Sequence, residues 1–317
     1  MPDVEKIASI DIGSNTVLLL IAEVNLSTRR IKTLANFYEM PRISKNLKKT
    51  GFITTGRKEK LFEVLEKYKQ IIDANRCDKI LVSATNAFRI AKNAEEISDE
   101  IDKIFGFQVK ILSGEEEAKL SFLGATYDLN FDNEALVVDI GGGSTEIIFG
   151  SKTNIRFNHS FGFGVVSLTE TFITNYPVNE SEISELKTFV KSNFNEYKKY
   201  IPESPLAVAV AGTPTTLSCI NQNLQTYDEE KIENSVLSMN NLRIIISKLE
   251  SMTPGEIKNV YGQVVSGRED VLLSGALILT VLADVLKIGK YYVSGKGIRY
   301  GAVVDYLHNF TNSQNSS

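Results

Sequence analysis

Residues 134–149 read EALVVDIGGGSTEIIF, two apolar runs separated by a cluster of glycine and hydroxyl residues. This pattern is typical of two β-strands joined by a tight turn. A related segment, IASIDIGSNTVLLLIAEV, occupies residues 7–24. Each segment has an acid near the end of its first apolar run, Asp11 and Asp139 respectively. Because a repeated segment is typical of a repeated structural unit, we expect two similar lobes facing a cleft.

Helical and extended patterns alternate around these hairpins. In the first half they predict a helix over 58–75, a strand over 79–84, a helix over 93–105, a strand over 108–112 and a helix with Ser113 as its N-cap. In the second half, strands over 205–211 and 290–293 lead into the turns GTPTTL and SGKGIRYGA. Such alternation indicates an α/β fold, and a length of 317 residues suggests two domains.

The composition is that of an ordinary globular protein, with 43% hydrophobic and 23% charged residues. The two cysteines, Cys77 and Cys219, have no CxxC spacing, which argues against a thiolate metal site or a disulfide framework. The apolar run 17–24 is too short to cross a bilayer, and the first residues lack the layout of a signal peptide. We therefore expect a protein of the reducing cytoplasm without a membrane anchor.

The formal net charge is −4, which repels polyanions at long range and argues against broad binding of nucleic acid. A polyphosphate substrate would therefore need a local basic lining or metal ions. Lysines and arginines do concentrate in residues 42–49, RISKNLKK, and in residues 57–60. A solvated helix or loop face is the interpretation that we favour for these two basic runs.

The glycine turns are candidate phosphate loops. In the first turn, backbone N–H groups can converge on an anion, although a simple hairpin tip could have the same sequence. In the second turn, three successive glycines let the backbone approach a phosphate closely, and a turn that serves only folding is the alternative. GTPTTL is a further candidate or a hinge between domains. The candidate phosphate-binding residues are Gly13, Ser14, Asn15, Thr16, Gly141, Gly142, Gly143, Ser144, Thr145, Gly212 and Thr213.

Charged side chains near these turns are candidate catalytic groups. Asp139 can hold Mg²⁺ directly or through water, since Mg²⁺ prefers oxygen ligands. Glu115, Glu116 and Glu117 of SGEEEA lie at the start of a helix, where they could serve only to cap it. The alternative is that one or two of them face a cleft, where one could take a proton from water. The planar guanidinium of Arg89 suits a bidentate grip on phosphate, and a surface ion pair is the alternative.

Several other kinds of site are disfavoured. His159 and His308 have no partner at the spacing of metal ligands, so we expect both to be structural or surface residues. The chain contains no GxSxG, HExxH, CxxxxxR or Walker pattern. Lys296 and Arg299 of SGKGIRYGA are basic groups that either bind a ligand or belong to a hinge between domains.

Five motifs, in this order, are similar to those of one enzyme family. They are DIGSN at 11–15, SATNAFR at 83–89, SGEEEA at 113–118, DIGGGSTE at 139–146 and GTPTTL at 212–217. Through this set, which covers nearly the whole chain, the sequence resembles the exopolyphosphatase/guanosine pentaphosphate phosphohydrolase (Ppx/GppA) family in a short two-domain form. SGEEEA followed by DIGGGSTE separates this family from sugar kinases, Hsp70-type ATPases and actin.

The resemblance implies an α/β fold of two actin-like domains. This superfold includes acetate kinase, Hsp70 and actin and is ribonuclease H-like, and its active site lies in the interdomain cleft. We expect an N-terminal domain over 1–125 and a C-terminal domain over 126–301. A last helix within 302–317 is expected to pack back on the N-terminal domain.

The resemblance also implies roles for individual residues. Glu117 is the expected general base for the attacking water, and Arg89 is expected to hold the terminal phosphate. Glu146 is expected to be a second carboxylate that positions water or Mg²⁺, while Asp139 and Asp11 organise the metal. Such a site needs no covalent intermediate, because donors and metal neutralise the phosphate oxygens while a carboxylate aims the water.

The activity implied by the resemblance is release of orthophosphate from the ends of inorganic polyphosphate. Hydrolysis of guanosine pentaphosphate (pppGpp) is the first alternative, because both substrates end in a phosphoanhydride. A second is an ATP-dependent kinase of the same superfold, and a third is a non-catalytic sensor of (p)ppGpp. The resemblance further implies a cytoplasmic homodimer of the stringent response, inhibited by (p)ppGpp, with neither DNA nor a membrane as partner.

Overall fold

The computed structural model describes residues 3–131 and 134–314, with the exception of the side chains of residues 48 and 311–314. Two compact units are formed. The first runs up to Gly124 and resumes at Ile298, and the second is Ala125–Gly297. In the described residues, no helix is both long and apolar enough to cross a membrane.

The first unit is built on a five-stranded sheet. Its elements, in chain order, are β1 (Val4–Ile12), β2 (Val17–Asn25), β3 (Ile31–Glu39), α1 (Leu47–Thr50), α2 (Thr55–Asn75), β4 (Lys79–Ala84), α3 (Asn86–Ile90), α4 (Ala94–Phe105), β5 (Val109–Ile111) and α5 (Gly114–Ala125). The strand order is β3-β2-β1-β4-β5. The first three strands pair antiparallel, and β4 and β5 extend the sheet in parallel with β1.

The second unit is built on a six-stranded sheet. Its elements are β6 (Ala135–Ile140), β7 (Thr145–Gly150), β8 (Ile155–Phe161), α6 (Val165–Phe172), α7 (Glu180–Tyr197), β9 (Leu206–Val210), α8 (Gly212–Asn221), α9 (Glu229–Ile232), β10 (Ser235–Ser238), α10 (Met239–Glu250), α11 (Pro254–Tyr261), α12 (Leu272–Leu286) and β11 (Lys290–Ser294). Short 3₁₀ turns occupy Lys198–Tyr200 and Gly262–Val265. The strand order is β10-β11-β9-β6-β7-β8.

The two sheets repeat one arrangement, since in both units three antiparallel strands are followed by two strands parallel to the first. The second sheet adds β10 as an antiparallel edge. This repetition confirms the predicted α/β class and the pair of similar lobes that the two hairpin segments indicated. The predicted strand over 79–84 is confirmed, and the predicted helices over 58–75 and 93–105 are observed as α2 and α4.

The repeated arrangement places both glycine turns at equivalent edges. The turn after β1 and the turn after β6 lie beside the carboxyl ends of the parallel neighbours β4 and β9. Asp11 is opposite Ser83 of β4, and Asp139 is opposite Val210 of β9. Ligands of open α/β sheets bind beyond the carboxyl ends of the strands, so each sheet has its candidate phosphate loop at its ligand-binding edge.

A buried helix forms the centre of the second unit. α12 reads LLSGALILTVLADVL, and its residues from Leu272 to Ala283 are all buried. A helix that is apolar on every side is stable only when other elements surround it, and α12 packs with α6, α7, α8 and α10. Gly275 permits close packing here, because a Cβ at that position would overlap the side chain of Thr213.

The last helix, α13 (Ile298–Gln314), belongs to the first unit. Tyr300, Val303 and Leu307 are buried in a cluster with apolar residues of β1 and β2. The Tyr300 hydroxyl lies 2.7 Å from Thr33 Oγ1, so a hydrogen bond joins the helix to β3. The predicted packing of the last helix falls partly on residues 315–317, which lie outside the described part of the chain.

Candidate active site

Both glycine turns are closed by the same hydrogen bond. Gly13 N donates to the Thr16 carbonyl at 2.9 Å, and Gly141 N donates to the Ser144 carbonyl at 3.0 Å. These pairs occupy equivalent positions in DIGSNT and DIGGGS. The repetition seen in the sequence is therefore also a repetition of backbone geometry.

The first turn is supported from one side by residues 42–44. Arg42 N donates to the Asn15 carbonyl and Ser44 N donates to the Ser14 carbonyl, each at 3.0 Å. In a planar trans peptide the C=O and N–H bonds point in opposite directions. The N–H groups of Asn15 and Thr16 therefore point away from residues 42–44, and neighbouring N–H groups oriented in this way suit an anion.

The second turn is supported in the same manner by helix α6. Val165 N donates to the Gly141 carbonyl at 3.0 Å, and Val166 N donates to the Gly142 carbonyl at 2.8 Å. By the same peptide geometry, the N–H groups of Gly142 and Gly143 point away from α6. The N–H groups of Val165 and Val166, at the start of α6, thus orient the glycine loop. No pattern in the sequence indicated this helix or its contact with the loop.

The hydroxyl residues of the second turn differ in exposure. Ser144 is half-buried, whereas Thr145 is fully buried at the start of β7. Thr145 Oγ1 has no hydrogen-bond partner in the described part of the chain. In this structure, the Thr145 side chain therefore lies inside the sheet's packing rather than at the loop surface.

Two carboxylates lie side by side next to the second turn. Asp139 of β6 is directly opposite Glu146 of β7, so their side chains share one face of the sheet. Glu146 also accepts a hydrogen bond of 2.6 Å from Ser160 Oγ on β8. The first sheet lacks this pair, because Leu18 stands opposite Asp11. Asp11 itself is buried, with 8% exposure.

The three glutamates of SGEEEA have three different environments. Glu115 is exposed at the start of α5. Glu116 forms a capping box with Ser113: Glu116 N donates to Ser113 Oγ at 3.1 Å, and Ser113 N donates to Glu116 Oε2 at 2.9 Å. This confirms Ser113 as the N-cap. Glu117 is ion-paired with Arg89 at 2.5 Å and retains 17% side-chain exposure. Capping is therefore the role of Glu116, and Glu117 is the acid held by an arginine.

Glu116 is expected to contribute to stability in a pH-dependent way. The Lys110 ammonium, and then the Ser113 N–H, hold the pKa of this carboxyl below its usual value of 4.5. Its contribution is therefore present above pH 4.5 and is lost as the pH falls through the lower pKa of the folded state. We expect Glu116→Gln to lower the melting temperature at pH 7 by about 1–3 °C.

Melting curves from pH 7 down to pH 3 test this expectation, with Glu115→Gln as the control on the same helical turn. The difference between wild type and Glu116→Gln should shrink as the pH falls below the usual value of 4.5. A difference that stays constant or grows at low pH would contradict the capping role.

Arg89 is positioned by two neighbouring parallel strands. It lies in α3, directly after β4, while Glu117 lies in α5, directly after β5, and these strands are paired at Ala84 and Ile111. One guanidinium nitrogen, Nη1, donates to the Leu112 carbonyl at 3.0 Å as well as to Glu117. The predicted candidates Arg89 and Glu117 are thus brought together at the carboxyl edge of the first sheet.

The GTPTTL turn lies beside an arginine, Arg268, that no sequence pattern indicated. Gly212 begins α8, and a Cβ at this position would lie 2.5 Å from the guanidinium of Arg268. Arg268 is half-buried, and its guanidinium has no ion-pair partner among the described residues. Thr213 is buried, with 3% exposure. Arg268 had no detectable signal in the sequence, because only folding places it beside Gly212.

The basic residues of SGKGIRYGA are engaged in packing contacts. Lys296 is ion-paired with Asp128. Glu233, whose pKa is raised by burial, accepts hydrogen bonds from Ser294 Oγ at 2.8 Å and from Gly295 N at 3.0 Å. Arg299 donates to Asn36 Oδ1 at 3.2 Å. These contacts favour a structural role for this turn over the binding role considered from the sequence.

The two histidines lie in packing environments as well. The His159 ring stacks on Tyr197 with 3.9 Å between ring centres, and burial lowers its pKa. His308 is half-buried in α13, and burial also lowers its pKa. Neither histidine belongs to a group of metal-binding side chains within the described residues.

The donor set is compatible with Mg²⁺ that arrives with a phosphate substrate. Within residues 3–131 and 134–314, no three His, Cys, Asp or Glu side chains are close enough to hold a metal by themselves. Mg²⁺ does not need such a cage, because it keeps several waters and is commonly held by one or two carboxylates plus phosphate oxygens. Asp139 and Glu146 form a carboxylate pair of this kind.

Comparison with known proteins agrees with these features. A model of the Ppx/GppA phosphatase family matches residues 20–310. The chain is 27% identical over 292 residues to exopolyphosphatase 2 of Mycobacterium tuberculosis, with 89% of this chain and 91% of that protein covered. It is 30% identical over 316 residues to a bifunctional 3-dehydroquinate synthase/phosphatase of Fusobacterium nucleatum, which covers 95% of this chain. The chain spans about half the length of that relative, 46%.

Solved structures show the same fold. The crystal structure of the Ppx/GppA family member of Aquifex aeolicus superposes with a TM-score of 0.87 at 29% identity, with 97% of this chain and 99% of that chain covered. An exopolyphosphatase of Cytophaga hutchinsonii superposes with a TM-score of 0.85 at 24% identity, with 96% and 98% covered. The resemblance inferred from the five motifs is confirmed, and the chain belongs to the Ppx/GppA phosphatase family.

Proposed function

We propose that this phosphatase is an exopolyphosphatase that hydrolyses the terminal phosphoanhydride bond of inorganic polyphosphate and releases orthophosphate. The observation that carries the proposal is the pair Arg89–Glu117 at the carboxyl edge of the first sheet, together with glycine loops whose amides are oriented by bonds to their carbonyls. The exopolyphosphatase relative from Mycobacterium tuberculosis, which aligns along most of the chain, supports the substrate class.

Glu117 acts as the general base in this proposal. Its carboxylate takes a proton from a water molecule as the water oxygen attacks the terminal phosphorus. The bond from that phosphorus to the bridging oxygen breaks, and the shortened polyphosphate leaves with the electron pair. The ion pair with Arg89 limits the directions in which the Glu117 carboxylate can point, which favours a fixed position for the attacking water.

Arg89 and the loop amides bind the terminal phosphate. Arg89 uses Nη1 for Leu112 and Glu117, which leaves the remaining donors of its planar fork for phosphate oxygens. The oriented amides of each loop, and Gly212 at the start of α8, are the proposed backbone donors to phosphate oxygens. Backbone donors that are already oriented need no reorganisation as charge shifts during phosphoryl transfer. We propose that Arg268 adds a further positive charge beside Gly212.

We propose that Asp139 and Glu146, which are paired across β6 and β7, hold Mg²⁺. When bound, the metal supplies positive charge that neutralises the phosphate oxygens. The two carboxylates would hold the ion directly or through its waters. Ser160 keeps Glu146 in place by donating to its Oε1 atom.

The direct test is orthophosphate release from long-chain polyphosphate and, in parallel, from pppGpp, with either Mg²⁺ or EDTA. We expect faster release from polyphosphate than from pppGpp. In EDTA the rate of release should fall by about a hundredfold, because charge neutralisation dominates phosphoryl transfer. Excess Mg²⁺ added to the EDTA sample should restore the rate.

Each other outcome has a defined meaning. Faster release from pppGpp would assign the chain to the alternative substrate, and release that is insensitive to EDTA would contradict the metal role of Asp139 and Glu146. If folded protein released phosphate from neither substrate, the exopolyphosphatase proposal would be wrong. Transfer of phosphate from ATP to an acceptor would instead indicate a kinase.

A further inference from the structure

The chain that follows β3 lies beside the first glycine turn, because β3 is antiparallel to β2. β3 pairs antiparallel with β2, and Glu39 at its end is opposite Val17 at the start of β2. The chain that leaves β3 therefore emerges beside the turn at residues 13–16. The bonds from Arg42 N to Asn15 and from Ser44 N to Ser14 attach it to that turn. The basic run 42–49, which the sequence analysis interpreted as a solvated face, thus begins at a candidate phosphate loop.

This segment is held in an unfavourable backbone conformation. Arg42 has φ 51°, in the left-handed region that side chains other than glycine rarely adopt. Ile43, the next residue, is fully buried and anchors the segment in the core. Arg57 Nη1 donates to the Pro41 carbonyl at 3.0 Å and fixes the other side of Arg42. The surroundings therefore impose a conformation for which glycine would be the easier residue, yet an arginine occupies it.

The charged residues of this segment are all basic. Residues 40–58 contain six lysines and arginines and no aspartate or glutamate, in a chain with 39 acids and 35 bases overall. Arg42 and Lys45 are exposed, and in the described part of the chain neither has an ion-pair partner. Two cations thus stand beside an anion-binding turn of an otherwise acidic protein, where their field is attractive to a polyanion.

We propose that Arg42 and Lys45 bind the phosphates that follow the terminal one in a polyphosphate chain, and so favour long substrates over short ones. The inference rests on the proposed exopolyphosphatase function. The amides of Asn15 and Thr16 point away from the backbone of residues 42–44, so this backbone and a phosphate bound by those amides lie on opposite sides of the turn. A long substrate extends past the turn and can reach Arg42 and Lys45, whereas tripolyphosphate offers few phosphates beyond the one that is cleaved.

The test compares Arg42→Gly and Lys45→Ala with wild type on long-chain polyphosphate and on tripolyphosphate. Glycine suits the left-handed backbone of residue 42, so this change removes the side chain without adding strain. The matched control is Arg76→Gly, which removes another arginine from left-handed backbone, φ 52°, at the end of α2. We expect the ratio of kcat/KM for the long substrate to that for tripolyphosphate to fall about tenfold in Arg42→Gly and to stay unchanged in the control.

A binding measurement separates this inference from the proposed function. Labelled long-chain polyphosphate is titrated into each protein in EDTA, where no turnover is needed, and we expect an about tenfold weaker Kd for Arg42→Gly and a smaller salt dependence. If wild type releases no phosphate, the proposed function fails, and these Kd values alone decide the inference. If wild type is active but neither the kcat/KM ratio nor the Kd changes in the two variants, the inference is wrong.

Two further outcomes are decisive. An equal loss on long-chain polyphosphate and tripolyphosphate would place Arg42 at the terminal phosphate and overturn the proposed position. If Arg42→Gly does not fold, Lys45→Ala decides alone: a lower ratio supports the inference, and an unchanged ratio overturns it.

Discussion

Replacing Glu117 by glutamine is expected to lower the rate of orthophosphate release by about 10²–10⁴-fold, because glutamine keeps the size of the side chain but accepts no proton from water. The structure singles out this residue among three adjacent glutamates. Glu117 faces Arg89 at the carboxyl edge of the sheet, while Glu116 is used in the capping box and Glu115 is exposed. The helix should be retained, because Glu117 is not part of its N-terminal cap.

The measurement is kcat on long-chain polyphosphate at saturating Mg²⁺, together with the melting temperature. Glu115→Gln is the matched control, since it makes the same chemical change two residues away on the same helix and should keep the wild-type rate. If Glu117→Gln kept its rate within a few-fold, another group would have to be the base. An equal loss in both variants would indicate a general effect of charge at the start of α5.

Replacing Gly164 by alanine is expected to disturb both the second glycine turn and the stability of the second unit. A Cβ at this position would overlap the Gly141 carbonyl and would lie 2.7 Å from the carbonyl carbon of Gly142. Helix α6 would have to move away from the loop, which would lengthen or break the bonds from Val165 and Val166. We expect the free energy of unfolding to fall by about 1–3 kcal/mol, the usual cost of overpacking a close contact.

The same change is expected to lower kcat/KM by about 10²-fold, since losing one oriented donor in a charge-stabilising site has an effect of this order. Gly162→Ala is the control, because a Cβ at Gly162 would meet nothing within 4 Å. Chemical denaturation and phosphate release are measured on both variants. Wild-type behaviour of Gly164→Ala would show that α6 does not orient the loop, and equal losses in the control would indicate a general effect of alanine in this segment.

Local patterns in the sequence predicted much of the fold. The hairpins around DIGSN and DIGGGSTE and the cap at Ser113 depend on contacts between residues close in the chain, and β4 was predicted from its short apolar run. Alternating burial, turn glycines and a side-chain cap act over a few residues, so they leave a readable pattern. The family resemblance rests on the same short motifs, because the residues of each motif are consecutive in the chain.

The strands β3, β8 and β10 and the helices of the second unit were not predicted. β3 reads IKTLANFYE and is half-exposed along its length, and β8 likewise alternates between intermediate and exposed positions. β3 carries no strong apolar pattern, and the alternation of β8 extends over only seven residues; each strand is held by pairing with an inner strand, β2 or β7. For such strands the partner rather than the local sequence determines the conformation.

The sequence alone determined which residue types could act on a phosphate: glycine turns, carboxylates and an arginine, in the order of one family. Which of these residues lie side by side depends on the folded structure. It assigned capping to Glu116 and the ion pair with Arg89 to Glu117, placed Arg268 beside Gly212, and attached residues 42–44 to the first loop. Apart from the cap between Ser113 and Glu116, these contacts join residues far apart in the chain, and their geometry depends on strand pairing and core packing, which no short segment encodes.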